Sequence, residues 1–230
     1  MTLVCRGNAL AVDTRKRQSK RILLIDNQPI CRHGLERVLR HNDSLVIDGR
    51  VSNLNGALAL HSNPALIALD LAIAKSRGIA SIKDLKRRFP NAAILILTAH
   101  DESLFAERCL KAGASGFVMK TAEPTALELA FTEVANGQLH ISDRVRAKLL
   151  SKLTGQESSD PTLLFDRLSD RELLIVQHIS LSKNNSEIAE ELQISTKTIE
   201  SHRSRIKSKL ELASPSELVR FATRLQSALF

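Results

Sequence analysis

The chain has no Trp and no Tyr, and Phe supplies its 3% aromatic content. Stacking of bases on exposed rings, the common way to hold single-stranded nucleic acid, is therefore excluded as its main business. No apolar run approaches the roughly 20 residues needed to span a bilayer. Cysteine is scarce and odd in number, and Cys5, Cys31 and Cys109 lack metal-ligand spacing. That pattern fits a reducing compartment, with Cys31 and Cys109 as small core residues in helical segments. No internal repeat is present. What remains is a chain of 230 residues with 43% apolar content, enough for one large globular domain or two small ones.

Charge is unevenly spread. The net charge is +8, but the first 21 residues hold six Lys/Arg against one Asp, or +5. The body is close to neutral, so overall basicity says little about DNA, and local clusters must carry that case. The opening "MTLVCRGNALAVDTRKRQSKR" places its positive charges after a weak apolar stretch, the reverse of a signal peptide. It reads as a flexible, solvated tail over residues 1–20, although its basic cluster could touch phosphates.

Two textures follow. From Ile22 to about Lys120, short apolar runs (Ile22–Ile25, Leu45–Ile47, Leu66–Leu69, Ile94–Leu97, Gly116–Met119) alternate with helical patterns (Arg32–Arg40, Leu54–His61, Ile79–Arg88, Ser103–Ala112). A further helix follows Pro124, and Gly137 is its stop. Such runs are buried on both faces, which predicts a parallel, doubly wound sheet of five strands. Ser142 caps a connector helix through Leu153, and "TGQESSDP" reads as linker. From Leu168 onward the pattern is helical. Ser169–Glu172 and Ser214–Glu217 are capping boxes, Asn184–Glu187 is a looser one, and Ser195 caps another segment. That predicts a four-helix domain in about 60 residues.

In a parallel sheet the carboxyl ends of the strands converge on one edge. Here those ends carry Asp26, Asp70, Thr98 and Lys120. Two carboxylates, a hydroxyl and an ammonium suit phosphoryl transfer onto an Asp nucleophile, with Mg²⁺ neutralising the phosphoryl oxygens.

The stretches "ILLIDNQPICRHGL", "PALIALDLAIAKSRG", "AAILILTAHDE" and "KAGASGFVMK" resemble the receiver domain of bacterial response regulators over about residues 21–137. The resemblance implies Asp70 as phosphoacceptor and Asp26, Asn27 and Asp70 around Mg²⁺. It also implies Thr98 and Lys120 on the phosphoryl group, and Phe117 as an aromatic switch that moves inward when Thr98 shifts. Asn27 departs from the family, which usually has a second acid there, so weak Mg²⁺ binding is expected. Ala74 replaces the usual Pro after Asp70. Two readings stay open: a kinase phosphorylates Asp70, or the pocket is a relic in which Asp70 pairs permanently with Lys120.

The segment "NNSEIAEELQISTKTIESHRSRIKSKLEL" has helix-turn-helix spacing. Ile188, Leu192, Ile194 and Ile199 pack crossed helices, Ala189 is small at their approach, and the turn falls at Gln193. The second helix has an inner stripe of Ile199, Ile206 and Leu210. Five Lys/Arg lie between Thr196 and Lys209 against Glu200 alone. A basic face with small hydroxyl residues suits the major groove, although a basic run is more often just a solvated surface. The whole end resembles the LuxR-type DNA-binding domain over about residues 166–230. The resemblance implies DNA contacts at Lys197, Thr198, Ser201, His202 and Arg205, and a phosphate contact at Lys209. It also implies pairing through the last helix. Glu200 could accept from a cytosine amine or pair with a neighbouring Arg. Ser182 stands where the family often has Gly.

Receiver (21–137), connector (138–165) and LuxR-type helices (166–230) follow the order of the NarL/FixJ class of response regulators. The expected protein is a cytoplasmic transcription regulator, not an enzyme. Its expected partners are double-stranded DNA, a sensor histidine kinase and a second copy of itself, and no membrane. The alternatives are a regulator that binds DNA without phosphorylation, for which Asn27 argues, and a receiver that only sequesters a protein partner. A phosphohydrolase is disfavoured, because Leu71 and Ala72 follow Asp70 where such enzymes place a second Asp.

Overall fold

The computed structural model describes residues 19–74, 78–154, 164–165 and 167–229. The basic tail, Cys5 and most of the linker lie outside them. Five parallel strands, β1 (Lys20–Ile25), β2 (Leu45–Val51), β3 (Leu66–Leu69), β4 (Ala93–Thr98) and β5 (Gly116–Met119), form one sheet in the order β2-β1-β3-β4-β5. The inner strands β1, β3 and β4 are apolar runs because their side chains have helices to meet on both faces. On β1, Leu23 and Ile25 join one core while Ile22 and Leu24 join another on the opposite face. The same alternation continues through Ile67, Ile94 and Phe117 on one side and Leu66, Leu95 and Val118 on the other.

Helices α1 (Pro29–Leu39) and α5 (Pro124–Ala135) cover the second face. Helices α2 (Leu54–Ala59), α3 (Ala80–Arg88) and α4 (Glu102–Lys111) cover the first. Pro29 and Pro124 open their helices at positions that need no amide donor. Gly137, at φ +81°, ends α5 where expected. The chain then returns beside β5, where the Gly116 backbone pairs with His140. A Cβ at Gly116 would sit 2.6 Å from Val134 Cγ2 and 3.1 Å from the His140 carbonyl oxygen, which leaves no room for a side chain.

The connector helix α6 (Asp143–Leu153) starts at Ser142, whose hydroxyl accepts from the Val145 amide. It lies along α4. Then come α7 (Asp170–Ser180), α8 (Asn185–Leu192), α9 (Thr196–Lys209) and α10 (Pro215–Leu229). Ser169 and Glu172 form the expected capping box. The looser Asn184–Glu187 pattern is also a full box. The Ser214–Glu217 expectation needs correction. Ser214 accepts from the Glu217 amide, but the Glu217 carboxylate reaches back to the Ala213 amide instead of closing the box. Ser182 sits at φ +60°, a left-handed turn that an L side chain enters at a cost of roughly 1–2 kcal/mol. That explains why glycine suits this position. Strand β2 runs to Val51, beyond the expected Ile47, because its outer half is a half-exposed edge and so lacks the continuous apolar signature.

Candidate functional site

The edge formed by the strand ends holds the four polar groups that the sequence places there. Asp26 and Asp70 follow β1 and β3, and both are 2% exposed. Each carboxylate is fixed in the same way. Asp26 Oδ1 accepts the Gln28 amide at 2.7 Å, and Asp70 Oδ1 accepts the Ala72 amide at 3.0 Å. These are side-chain turns that Asp forms readily with the backbone two residues on. Both Oδ2 atoms are thereby aimed at one point, and Lys120 fills it. Its Nζ stands 2.7 Å from Asp26 Oδ2 and 2.8 Å from Asp70 Oδ2. Its third donor direction meets Gln28 Oε1 at 3.1 Å. Burial disfavours the ammonium, but hydrogen bonds and charge from Asp26 and Asp70 outweigh that and raise the Lys120 pKa above its ordinary value.

Thr98 is fully buried at the end of β4, and its carbonyl accepts the Lys120 amide at 2.8 Å. Its hydroxyl accepts the His100 amide at 3.2 Å. Phe117 is only 2% exposed, so the expected inward switch would start from a ring already inside. Asn27 is exposed at the mouth end of β1. Gln28 and Cys31 were not read from the sequence as pocket residues. The Cys31 thiol donates to Gln28 Oε1 at 2.9 Å, and their helical spacing was the only available signal.

A second candidate surface lies on the helical domain. Ile199 and Ile206 are fully buried and set the inner stripe of α9. Ile188, Ala189 and Leu192 of α8 join that core, so the helix-turn-helix crossing is built as the spacing predicts. Gln193 supplies the turn at φ +53°. Lys197, Thr198, Glu200, Ser201 and Arg205 are exposed together on the outer side. Not all the basic residues share that face. Arg203 Nη1 donates to Asn185 Oδ1 at 3.0 Å, which ties α9 to the start of α8. Lys209 Nζ lies 2.6 Å from the buried Glu172 Oε2 of α7, while the Lys209 side chain itself stays exposed. Glu172 also accepts the Ser169 amide, and Lys209 and that bond pull its pKa down despite burial. His202 is half-buried, and burial with Arg171 and Arg205 nearby lowers its pKa. Its Nδ1 is buried.

Comparison with known proteins follows the same division. Residues 22–132 match the response regulator receiver domain, and residues 166–222 match the bacterial regulatory proteins of the luxR family. The oxygen regulatory protein NreC of Staphylococcus epidermidis is 30% identical over 214 residues, covering 89% of this chain and 97% of that protein. A LuxR-family two-component response regulator from Aurantimonas sp. is 27% identical, with a TM-score of 0.54, and its structure covers 59% of this chain. The RcsB regulator of Salmonella enterica serovar Typhimurium, solved on promoter DNA with a phosphomimetic, shares the fold. It has a TM-score of 0.61 over 90% of this chain and 99% of that one, at 23% identity.

Proposed function

The chain belongs to the response regulators that join a receiver to a LuxR-type DNA-binding domain, and from that premise we propose how this member works. It is a transcription regulator whose receiver, residues 21–137, is switched by phosphorylation of Asp70 and whose helices from residue 166 read double-stranded DNA. The observation that carries this reading is the pair of buried carboxylates whose free oxygens converge on the Lys120 ammonium.

In the transfer, an Asp70 carboxylate oxygen attacks the phosphorus of a phosphodonor, for which a sensor histidine kinase is the expected source. The O–P bond forms as the donor's bond to phosphorus breaks, and the leaving group keeps the electron pair. Lys120, already held between the two carboxylates, shifts its charge onto a phosphoryl oxygen. The Thr98 hydroxyl turns to donate to another.

The residues present fit a divalent ion. Asp26 Oδ2 and Asp70 Oδ2 are buried carboxylate oxygens of the kind Mg²⁺ takes, and they converge on one point where Lys120 supplies the positive charge. Asp26 and Asp70 would hold the ion with the Asn27 carbonyl, and bound Mg²⁺ supplies charge neutralisation at the phosphoryl oxygens. With Asn27 in place of an acid, no cluster of three acidic, His or Cys groups gathers among the described residues. One missing charge at about 4 Å forfeits up to roughly 4 kcal/mol at an effective dielectric near 20, before solvent discounts it. Mg²⁺ binding is weak for that reason, and Asn27→Asp strengthens it.

On DNA, Lys197, Thr198, Ser201 and Arg205 enter the major groove. Pairing through α10 sets inverted half-sites about one helical turn apart. A cytoplasmic location follows from the kinase and DNA partners. A second reading, DNA binding without phosphorylation, draws support from Asn27 and from a Lys120 that already pairs with both carboxylates. The test is intact-mass analysis after incubation with acetyl phosphate and Mg²⁺. Uptake of one phosphoryl group by the wild type and none by Asp70→Asn supports the first reading. No uptake in either, with the cognate kinase also supplied, supports the second.

A further inference from the structure

Gln28 stands at the N-cap position of α1, where Ser, Thr, Asp or Asn would accept an amide of the first turn. Its side chain makes no such bond. The helix start forgoes that stabilisation, and the carboxamide is turned to the pocket instead. Gln28 Oε1 accepts Lys120 Nζ at 3.1 Å and the Cys31 thiol at 2.9 Å. Two donors on one atom fix which way the carboxamide points, because its nitrogen can accept from neither. The backbone amide of the same residue donates to Asp26 Oδ1 at 2.7 Å. One residue thus grips a carboxylate with its main chain and the pocket's cation with its side chain.

These contacts define where the cation sits. An ammonium has three N–H groups. Lys120 Nζ lies 2.7 Å from Asp26 Oδ2 and donates to Asp70 Oδ2 at 2.8 Å. Gln28 takes the remaining direction, at the exposed mouth. The two Oδ2 atoms are open to a divalent ion only when the ammonium has left them. Whatever holds the ammonium in place therefore lowers the apparent affinity for the ion, in proportion to the fraction of molecules with the position vacated. Loss of Gln28 affects the two cations unequally. Lys120 loses an acceptor already aimed at it, whereas Mg²⁺ keeps several waters of its own.

We infer that Gln28 is a positioning residue that holds Lys120 in the metal's place and so sets how readily the pocket takes up a divalent ion. It acts through Lys120 and not on the ion. Cys31 supports it by fixing the carboxamide. This is a second cause of weak Mg²⁺ binding, separate from the charge missing at Asn27. The role rests on the reading above that this pocket takes Mg²⁺, and it needs no phosphoryl transfer.

Calorimetric titration of the full chain with Mg²⁺, without any phosphodonor, is the test. Gln28→Met keeps the length of the side chain and removes the acceptor. It raises Mg²⁺ affinity about 3- to 10-fold, the scale of one partly exposed hydrogen bond. Lys120→Met empties the position and raises affinity further, by about 10-fold or more. With Lys120 already replaced by Met, Gln28→Met adds less than about twofold, as expected when one residue acts through the other. The melting temperature of Lys120→Met climbs with Mg²⁺ more steeply than that of the wild type. If Lys120→Met does not fold even with Mg²⁺, Gln28→Met decides alone by the sign of its change.

Unchanged or weakened Mg²⁺ binding in Gln28→Met overturns the inference, since a direct ligand or a merely structural residue gives that result. An equal gain from Gln28→Met with and without Lys120 overturns it too. Intact mass after acetyl phosphate treatment of the same proteins judges phosphorylation separately. Tighter Mg²⁺ binding in Gln28→Met with no phosphoryl uptake in any form removes the phosphorylation reading and leaves Gln28 in its role. Mg²⁺ bound by no form, Lys120→Met included, removes the role whatever the phosphoryl uptake.

Discussion

The acidic pocket at the strand ends and the outer face of α9 handle charge in opposite ways. The pocket draws its groups from the ends of β1, β3, β4 and β5 and buries them, so each charge must be matched. Two carboxylates share one ammonium, and each spare oxygen accepts a backbone amide. The α9 face takes its groups from one helix and leaves Lys197, Ser201 and Arg205 in water, where they cost little and await a partner. The difference teaches where mutations hurt. In the pocket, function and stability are held by the same atoms; on α9 they are separable.

The largest expected effect breaks the pocket side of that comparison. Lys120→Met leaves two buried carboxylates without their shared cation and destabilises the receiver by roughly 3–5 kcal/mol. Lys197→Ala, on the exposed face, changes stability by less than about 0.5 kcal/mol. Urea unfolding of the two variants side by side measures both. Equal stabilities would erase the distinction.

Acid sharpens the contrast within the helical domain. His178 is buried on α7 with Glu191, Lys183, Arg171 and His100 around it. Burial first, then Lys183, lower its pKa to about 4. At neutral pH the ring is uncharged both folded and unfolded, so it contributes no pH dependence. As pH falls below the ordinary value near 6.5, the unfolded chain takes up the proton first. The folded state loses about 2 kcal/mol by about pH 4.5. Thermal unfolding across that range detects the loss, and His178→Asn flattens it.

The next effect sharpens the α9 side. Arg205→Ala weakens specific DNA binding by about 1.5 kcal/mol if the guanidinium reads one base edge, and leaves the melting temperature unchanged. Binding that weakens equally on specific and random duplex would reassign Arg205 to phosphate.

Legibility in the sequence followed the same divide. The strands, the helix starts at Pro124, Ser142 and Ser169, and the turn at Gln193 were readable because propensity and capping are local. The pocket was readable because Asp26, Asp70, Thr98 and Lys120 each follow an apolar run, and parallel topology does the rest. Side-chain partners chosen across the fold were not readable. The pairing of Lys209 with Glu172, 37 residues earlier, has no local signal. Arg203 looked like part of the basic face and instead ties α9 to Asn185. The bond from Arg108 of α4 to Asp170 of α7 carries no spacing signal, since it depends on how two domains meet.

The central claim is that a charge change at Asp70 is felt by the face of α9. The most direct measurement is the anisotropy of a labelled duplex titrated with the full chain, with and without beryllofluoride and Mg²⁺, alongside Asp70→Asn. The account predicts a gain in affinity of about fivefold or more for the wild type and none for the variant. Equal affinity under both conditions, with beryllofluoride shown by fluorine NMR to be bound, would contradict it.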